Sequence, residues 1–198
     1  MYNLFEVFKM IEKMIPTYFY KSIYDIDYEG LYKDGIRLIL TDLDNTLISY
    51  KETIPNRKLF ELKNKIEHMG FEFILVSNSR KKRVDNFAKS FDIPYVKFST
   101  KPLKRGIKKA IKKVAHGTYT KDQVLIIGDQ IMTDIYGAGR CKIRSVLVDA
   151  IDKSTDIGPT RFNRKLERFF LKKIKKKYPI EYDLKLKEYG VNDDNKKM

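Results

Sequence analysis

The chain has 198 residues, with 41 Lys and Arg against 26 Asp and Glu, a formal net charge of +15 and one cysteine, Cys141. That length suits one α/β domain with short appendages and excludes two full domains, while a lone cysteine excludes an internal disulfide framework and fits a reducing compartment. No apolar run approaches the roughly 20 residues that span a bilayer, and the excess of positive charge favours a polyanionic partner, either nucleic acid or an acidic lipid surface.

Residues 1–15 place Leu4, Val7, Phe8, Ile11, Met14 and Ile15 at helical spacing, which predicts an amphipathic helix ended by Pro16. Glu6 and Glu12 interrupt it where a signal peptide would be continuous, so a cytoplasmic protein is expected, free or peripheral at the inner face of the membrane. After a tyrosine-rich connection, strands are predicted at 36–41, 71–77, 95–98, 124–128 and 145–149. Helices are predicted between them near 56–69, 81–91, 102–115 and 133–139. Repeated βα units indicate a mainly parallel five-stranded sheet with helices on both faces, a Rossmann-like three-layer α/β/α sandwich. The segment Arg161–Lys177 holds nine basic residues and one acid, Glu167, with Phe162, Leu166, Phe169, Phe170 and Ile174 at helical spacing. From Asn192 on the chain reads as a polar tail. The expected organisation is a lead-in over 1–30, a catalytic domain over 31–155 and a basic helix with its tail over 156–198.

The strand ends carry the chemistry. Asp42-Leu43-Asp44 follows the apolar run Ile36–Leu40, so two carboxylates sit where a buried parallel strand meets a loop, the edge at which open α/β sheets bind ligands. Like charges that close repel unless a cation lies between them or one is protonated. An Asx turn at Asn45 would account for the same residues without function. The second strand ends in Ser77-Asn78-Ser79, hydroxyl and amide groups before a helix that suit a phosphate or a plain N-cap. Lys101-Pro102 opens the next helix. Gly128-Asp129-Gln130 and Thr133-Asp134 add carboxylates at the same edge, and magnesium, which takes one or two carboxylates with carbonyls and water, would be served by Asp42, Asp129 and the Leu43 carbonyl.

In this order the motifs resemble the haloacid-dehalogenase-like phosphohydrolase superfamily over about residues 36–150. The resemblance implies that Asp42 is the nucleophile and Asp44 the acid and base, that Lys101 steadies Asp42, and that magnesium is held among Asp42, Asp44, Asp129 and Asp134. It implies phosphoryl contacts from Ser77 and Asn78, with Asn45 and Thr46 beside them. Only eight residues separate Thr46 from Pro55 and one helix and a short strand separate Ser77 from Lys101, so no cap domain fits. Tyr24–Tyr28, Asp44–Leu47, Gly128–Gln130, Thr133–Ile135 and Thr160–Arg164 are further similar to the YqeG-type phosphatases related to mitochondrial phosphatidylglycerophosphatase, subfamily III of the superfamily. This implies a phosphorylated lipid substrate, with Arg161 and Arg164 available for its second phosphate.

The basic helix and the N-terminal helix suit an anionic bilayer, or else both pack on the domain with their charges in water. A polynucleotide-end or phosphoprotein phosphatase using the basic segment is the alternative enzyme, although that segment offers no aromatic stacking surface. A non-enzymatic basic scaffold is the alternative of another class. His68 and His116 receive no catalytic role.

Overall fold

The computed structural model describes residues 4–114 and 119–189, with side chains from residue 8; His116 and the predicted tail from Asn192 lie outside the described residues. Strands β1 (Tyr18–Tyr20), β2 (Leu38–Thr41), β3 (Glu72–Val76), β4 (Tyr95–Val96), β5 (Val124–Gly128) and β6 (Arg144–Val148) form one sheet in the order β1-β6-β5-β2-β3-β4. Every pairing is parallel. The sheet therefore has six strands rather than the five expected. The extra one lies in the tyrosine-rich connection, where three residues are too few to show an alternation of period two. Its pairing with β6, Tyr18 opposite Val146, exists only in the tertiary structure.

Helices α2 (Tyr28–Lys33), α3 (Arg57–His68) and α4 (Lys82–Ser90) cover one face. Alternate residues of the central strands, Ile39, Phe73, Leu75, Leu125 and Ile127, point into that layer, against Leu59, Ile66, Val84 and Phe87. The opposite set, Leu38, Leu40, Ile74, Val124 and Ile126, packs on α5 (Lys104–Val114) and α6 (Tyr136–Cys141) through Ile107, Ala110 and Ala138. Because both faces are covered, the inner strands are apolar over most of their length, with polar residues at their ends such as Thr41, Glu72 and Arg144, which is why they read as runs rather than as alternations.

The remaining helices are α1 (Leu4–Glu12), α7 (Gly158–Lys177) and α8 (Pro179–Lys185). They close a third cluster in which Ile11, Met14, Leu171, Ile174, Leu186 and Tyr189 meet Ile131, Ile135 and Leu147 of the sheet domain. Ile11 and Met14 are thus packed on the domain and not available to a membrane. The apolar stripe predicted for the basic helix also divides. Phe162 is 62% exposed and Phe169 54% exposed. The face that packs inward is Thr160, Arg164, Glu167, Leu171 and Ile174, so a buried arginine and glutamate take the place that phenylalanines were expected to fill. No helix among the described residues is long and apolar enough to cross a membrane.

Candidate active site

Parallel register brings the strand ends level. Thr41 lies opposite both Leu75 and Ile127, so the next residue of β2, Asp42, stands at the same edge as Ser77 and Asp129. The Asp42 N–H donates to the Ile127 carbonyl at 2.9 Å, which carries the strand one residue further and fixes the first carboxylate. Asn45 then takes a left-handed conformation, φ 62°, that asparagine tolerates better than most residues. The loop folds back over the Leu43 carbonyl, which accepts from the N–H groups of Thr46, Leu47 and Ile48. That oxygen, expected on magnesium, is consumed by the turn. The neighbouring Asp44 carbonyl accepts no hydrogen bond among the described residues.

A pocket of about 230 Å³ opens at this edge, and Asp42, Asp44, Ser77, Asn78 and Lys101 line it. Lys101 is buried beneath, with Nζ 2.7 Å from Asp42 Oδ1, 2.7 Å from Asp134 Oδ1 and 2.6 Å from the Val76 carbonyl. Burial opposes its charge, but Asp134 and Asp42 outweigh that and raise its pKa above the usual lysine value. Asn78 braces the Lys101 loop: its Nδ2 donates to the Lys101 carbonyl at 2.9 Å, and its Oδ1 accepts from the Lys101 N–H at 2.7 Å and from Ser99 Oγ at 2.7 Å. Ser77 Oγ accepts from the Ser79 N–H at 3.1 Å.

Asp134 is fully buried, with Oδ1 on Lys101 and Oδ2 accepting from Thr133 Oγ1 at 3.1 Å and the Gln130 N–H at 3.3 Å. Its place is that of an anchor for Lys101, away from the pocket. Gly128 is required for this, because a Cβ there would come within 2.3 Å of the Asp134 carboxyl carbon.

Asn45, Thr46 and Arg164, expected on the substrate, lie under the pocket instead. Asn45 Nδ2 donates to Asp156 Oδ1 at 2.8 Å, and Thr46 Oγ1 donates to Asp129 Oδ1 at 3.3 Å. Arg164 is buried and fully engaged: it pairs with Asp129 Oδ2, with Asp156 Oδ2 at 3.3 Å and with Glu167 Oε2 at 3.3 Å, and donates to the Asp129 carbonyl at 2.6 Å and the Tyr189 hydroxyl at 2.9 Å. Tyr189 in turn donates to Glu167 Oε2 at 3.0 Å or to the Asp129 carbonyl at 3.1 Å. Arg161 is exposed and outside the pocket lining. From the Thr160–Arg164 segment it is Thr160 and Asn163 that face the pocket.

Several participants were not read from the sequence. Arg83 pairs with Asp44 and donates to the Ser49 and Glu52 carbonyls, each at 2.7 Å, locking the loop after β2. Tyr50, Lys81, Gln130 and Thr133 line the pocket. Arg83 carried no signal among so many basic residues. Glu167 did, as the one acid of a basic helix, on the same face as Thr160 and Arg164 by helical spacing.

Six buried carboxylates (Asp42, Asp44, Asp129, Asp134, Asp156 and Glu167) share three cationic partners, Lys101, Arg83 and Arg164. Burial pushes Asp42 up to about 8 against the pull of Lys101, and Asp129 up to about 7 against that of Arg164. Surplus buried negative charge demands either protons or a cation. A hard divalent ion takes carboxylates together with carbonyls and water, which Asp42, Asp129 and the Asp44 carbonyl could offer, although among the described residues no three Asp, Glu, His or Cys side chains are grouped to hold a metal.

Residues 1–151 match the family model of the mitochondrial PGP phosphatases. The chain belongs to this family. It is 31% identical to the Bacillus subtilis (strain 168) protein named "Probable phosphatase YqeG" over 175 residues, 88% of this chain and 99% of that one. It is accordingly a phosphatase of the haloacid-dehalogenase-like superfamily, YqeG type, and not a non-enzymatic scaffold. Among solved structures it is similar to an uncharacterised protein from Listeria monocytogenes serotype 4b (16% identity, TM-score 0.48, 62% of this chain and 86% of that chain). It is also similar to the Yersinia pestis 3-deoxy-D-manno-octulosonate 8-phosphate phosphatase (12% identity, TM-score 0.39, 82% and 85%). Neither likeness bears on the substrate.

Proposed function

We propose that this phosphatase removes the terminal phosphate of phosphatidylglycerophosphate, with magnesium, through an aspartyl-phosphate on Asp42. The observation that carries the chemistry is Asp42 on the pocket wall with the Lys101 ammonium 2.7 Å behind it. An Asp42 oxygen attacks phosphorus while the P–O bond to the glycerol oxygen breaks, and Asp44 gives that oxygen a proton. Asp44, now a carboxylate, takes a proton from water, which attacks the acyl phosphate and releases inorganic phosphate and free Asp42. Ser77 and its neighbouring N–H groups hold the phosphoryl oxygens, and Lys101 orients Asp42 and partly offsets the burial that opposes its ionised form. Asp42 and Asp129, with the Asp44 carbonyl, would hold magnesium, which when bound would supply positive charge beside the phosphoryl oxygens. Arg83 sets the position of Asp44, and Asp134 that of Lys101.

Two features support a lipid. The family description names PGP as the substrate of its phosphatases, and the pocket is not covered by a cap, so a headgroup can be presented from a surface. The test is phosphate release from phosphatidylglycerophosphate in mixed micelles, with and without magnesium, beside 5′-phosphorylated oligonucleotides and a phosphopeptide, using Asp42→Asn as the blank. Magnesium-dependent turnover of the lipid above the other two is expected. Turnover of the oligonucleotide or phosphopeptide alone would replace the lipid reading with that substrate.

A further inference from the structure

Ten large apolar side chains are conspicuously exposed among the described residues, and six of them, Ile54, Phe98, Leu103, Ile151, Ile157 and Phe162, lie at one edge of the sheet. That edge is the one with the pocket, because all six strands are parallel and each of these residues follows a strand end. Their contacts tie them to the mouth. Ile157 lines the pocket and Phe162 adjoins Asn163, which also lines it. The Phe98 N–H donates to the carbonyl of the pocket residue Ser79 at 3.1 Å, and the Ile151 N–H donates to the Asn45 carbonyl at 3.0 Å. Leu103 stands two residues beyond Lys101. Ile54 stands two beyond Glu52, whose carbonyl receives Arg83.

Scattered exposed apolar residues need no explanation, but six around one opening do. They come from three connections, those after β2, β4 and β6 with the first turns of α7, and basic side chains are set among them: Lys51, Arg80, Lys81 and Arg161 are all exposed. The Arg80 guanidinium lies 3.5 Å from the centre of the Phe98 ring, a pairing in which an apolar body and a charged tip reach the same depth. Separated apolar tips interspersed with cations complement a bilayer interface with anionic headgroups. The net charge of +15 acts in the same direction at longer range.

We propose that the loops at the strand ends form a docking rim that seats the pocket mouth on an anionic bilayer, Ile54, Phe98, Leu103, Ile151, Ile157 and Phe162 entering the interface. The membrane contact is thereby moved from the body of the basic helix to the loops around the active site. Of α7, only its first turns belong to the rim. Docking in this orientation delivers a headgroup phosphate to Asp42 without the lipid leaving the bilayer. The proposal rests on the lipid reading above for its purpose and on the rim for its geometry.

The chain contains no tryptophan, so single reporters can be introduced into the full-length protein. Ile54→Trp and Phe162→Trp probe the rim, and Asp122→Trp, exposed before β5, probes the opposite edge. With vesicles of phosphatidylglycerol and phosphatidylcholine, the rim reporters should shift to the blue and be quenched by brominated lipid, while the Asp122→Trp signal stays that of water. Ile54→Ser combined with Phe162→Ser should lower vesicle partitioning on the order of ten-fold or more. Equal quenching at both edges, no quenching at the rim, or a 20-nucleotide DNA bound more tightly than the vesicles at the same salt would overturn the proposal. Turnover of lipid in detergent micelles separates the two claims. Retained micellar turnover without rim insertion refutes docking alone, whereas rim insertion without lipid turnover leaves docking standing and refutes the substrate.

Discussion

Replacing Arg164 distinguishes its observed place from the one the sequence suggests. On the substrate's second phosphate, Arg164 would affect KM and leave stability alone. Buried beneath Asp129 with three carboxylates and the Tyr189 hydroxyl, it pairs with all three of those carboxylates. Arg164→Met keeps much of the volume and removes the guanidinium, leaving Asp129, Asp156 and Glu167 buried without the partner they share. Breaking a buried pair from one side costs about 3–5 kcal/mol. For a chain of this size that is a fall in Tm of roughly 6–20 °C. Arg164→Lys should recover only part of it, since one ammonium cannot reach acceptors that a guanidinium spans. Tyr189→Phe, removing one hydroxyl of the same network, should cost about 1–3 kcal/mol. The double variant should cost less than the sum, because both act on one network. Thermal unfolding of the parent and the four variants by circular dichroism at pH 7, with metal chelated, provides the comparison. If Arg164→Met unfolds within about 2 °C of the parent while its KM rises, the buried-hub reasoning is wrong and the substrate role is restored.

Three other outcomes are expected. Asp42→Asn should reduce turnover by about 10⁴-fold or more without lowering Tm, because an amide is less costly to bury than a carboxylate; a stable variant retaining a tenth of the parent's turnover would remove Asp42 as nucleophile. Gly128→Ala should destabilise by about 1–3 kcal/mol and depress turnover together, since its Cβ would displace Asp134 and hence Lys101; wild-type Tm in urea and heat would show that the strand end can yield. Stability should also depend on pH with a particular sign. Asp42 and Asp129 are raised to about 8 and about 7 when folded, by burial first. Unfolded they titrate near ~4, so between those limits the folded protein keeps protons that the unfolded chain has released, and stability falls as pH rises through that window. The Tm of metal-free protein should decline from pH 5 to pH 8.5, with added magnesium restoring more at the higher pH. A Tm that climbs over that range would contradict the assignment.

Asp42, Asp44, Ser77 and Asp129 were legible because they lie just past apolar strands, Lys101 and Asp134 because they sit in polar motifs shortly after β4 and β5, and a parallel sheet aligns all its strand ends at one edge. Local pattern therefore sufficed to name the residues that converge, and the family motifs suggested the chemistry proposed for them. What local pattern could not supply was direction. Thr160, Arg164 and Glu167 share a helix face by spacing, yet whether that face meets water, lipid or Asp129 depends on where α7 docks, and the docking buries Arg164 while exposing Phe162. Asn45, Thr46 and the Leu43 carbonyl follow the same rule: a tight turn and distant partners, Asp156 and Asp129, take them from the substrate and the metal. Strand β1 is the plainest instance, since three tyrosine-rich residues have no period to read until β6 stands beside them. The sequence by itself determined which groups reach the edge, because strand order and periodicity are local and repeat. Only the tertiary structure decided which of them face the pocket and which hold the others, because a buried charge takes its role from the partner that neutralises it.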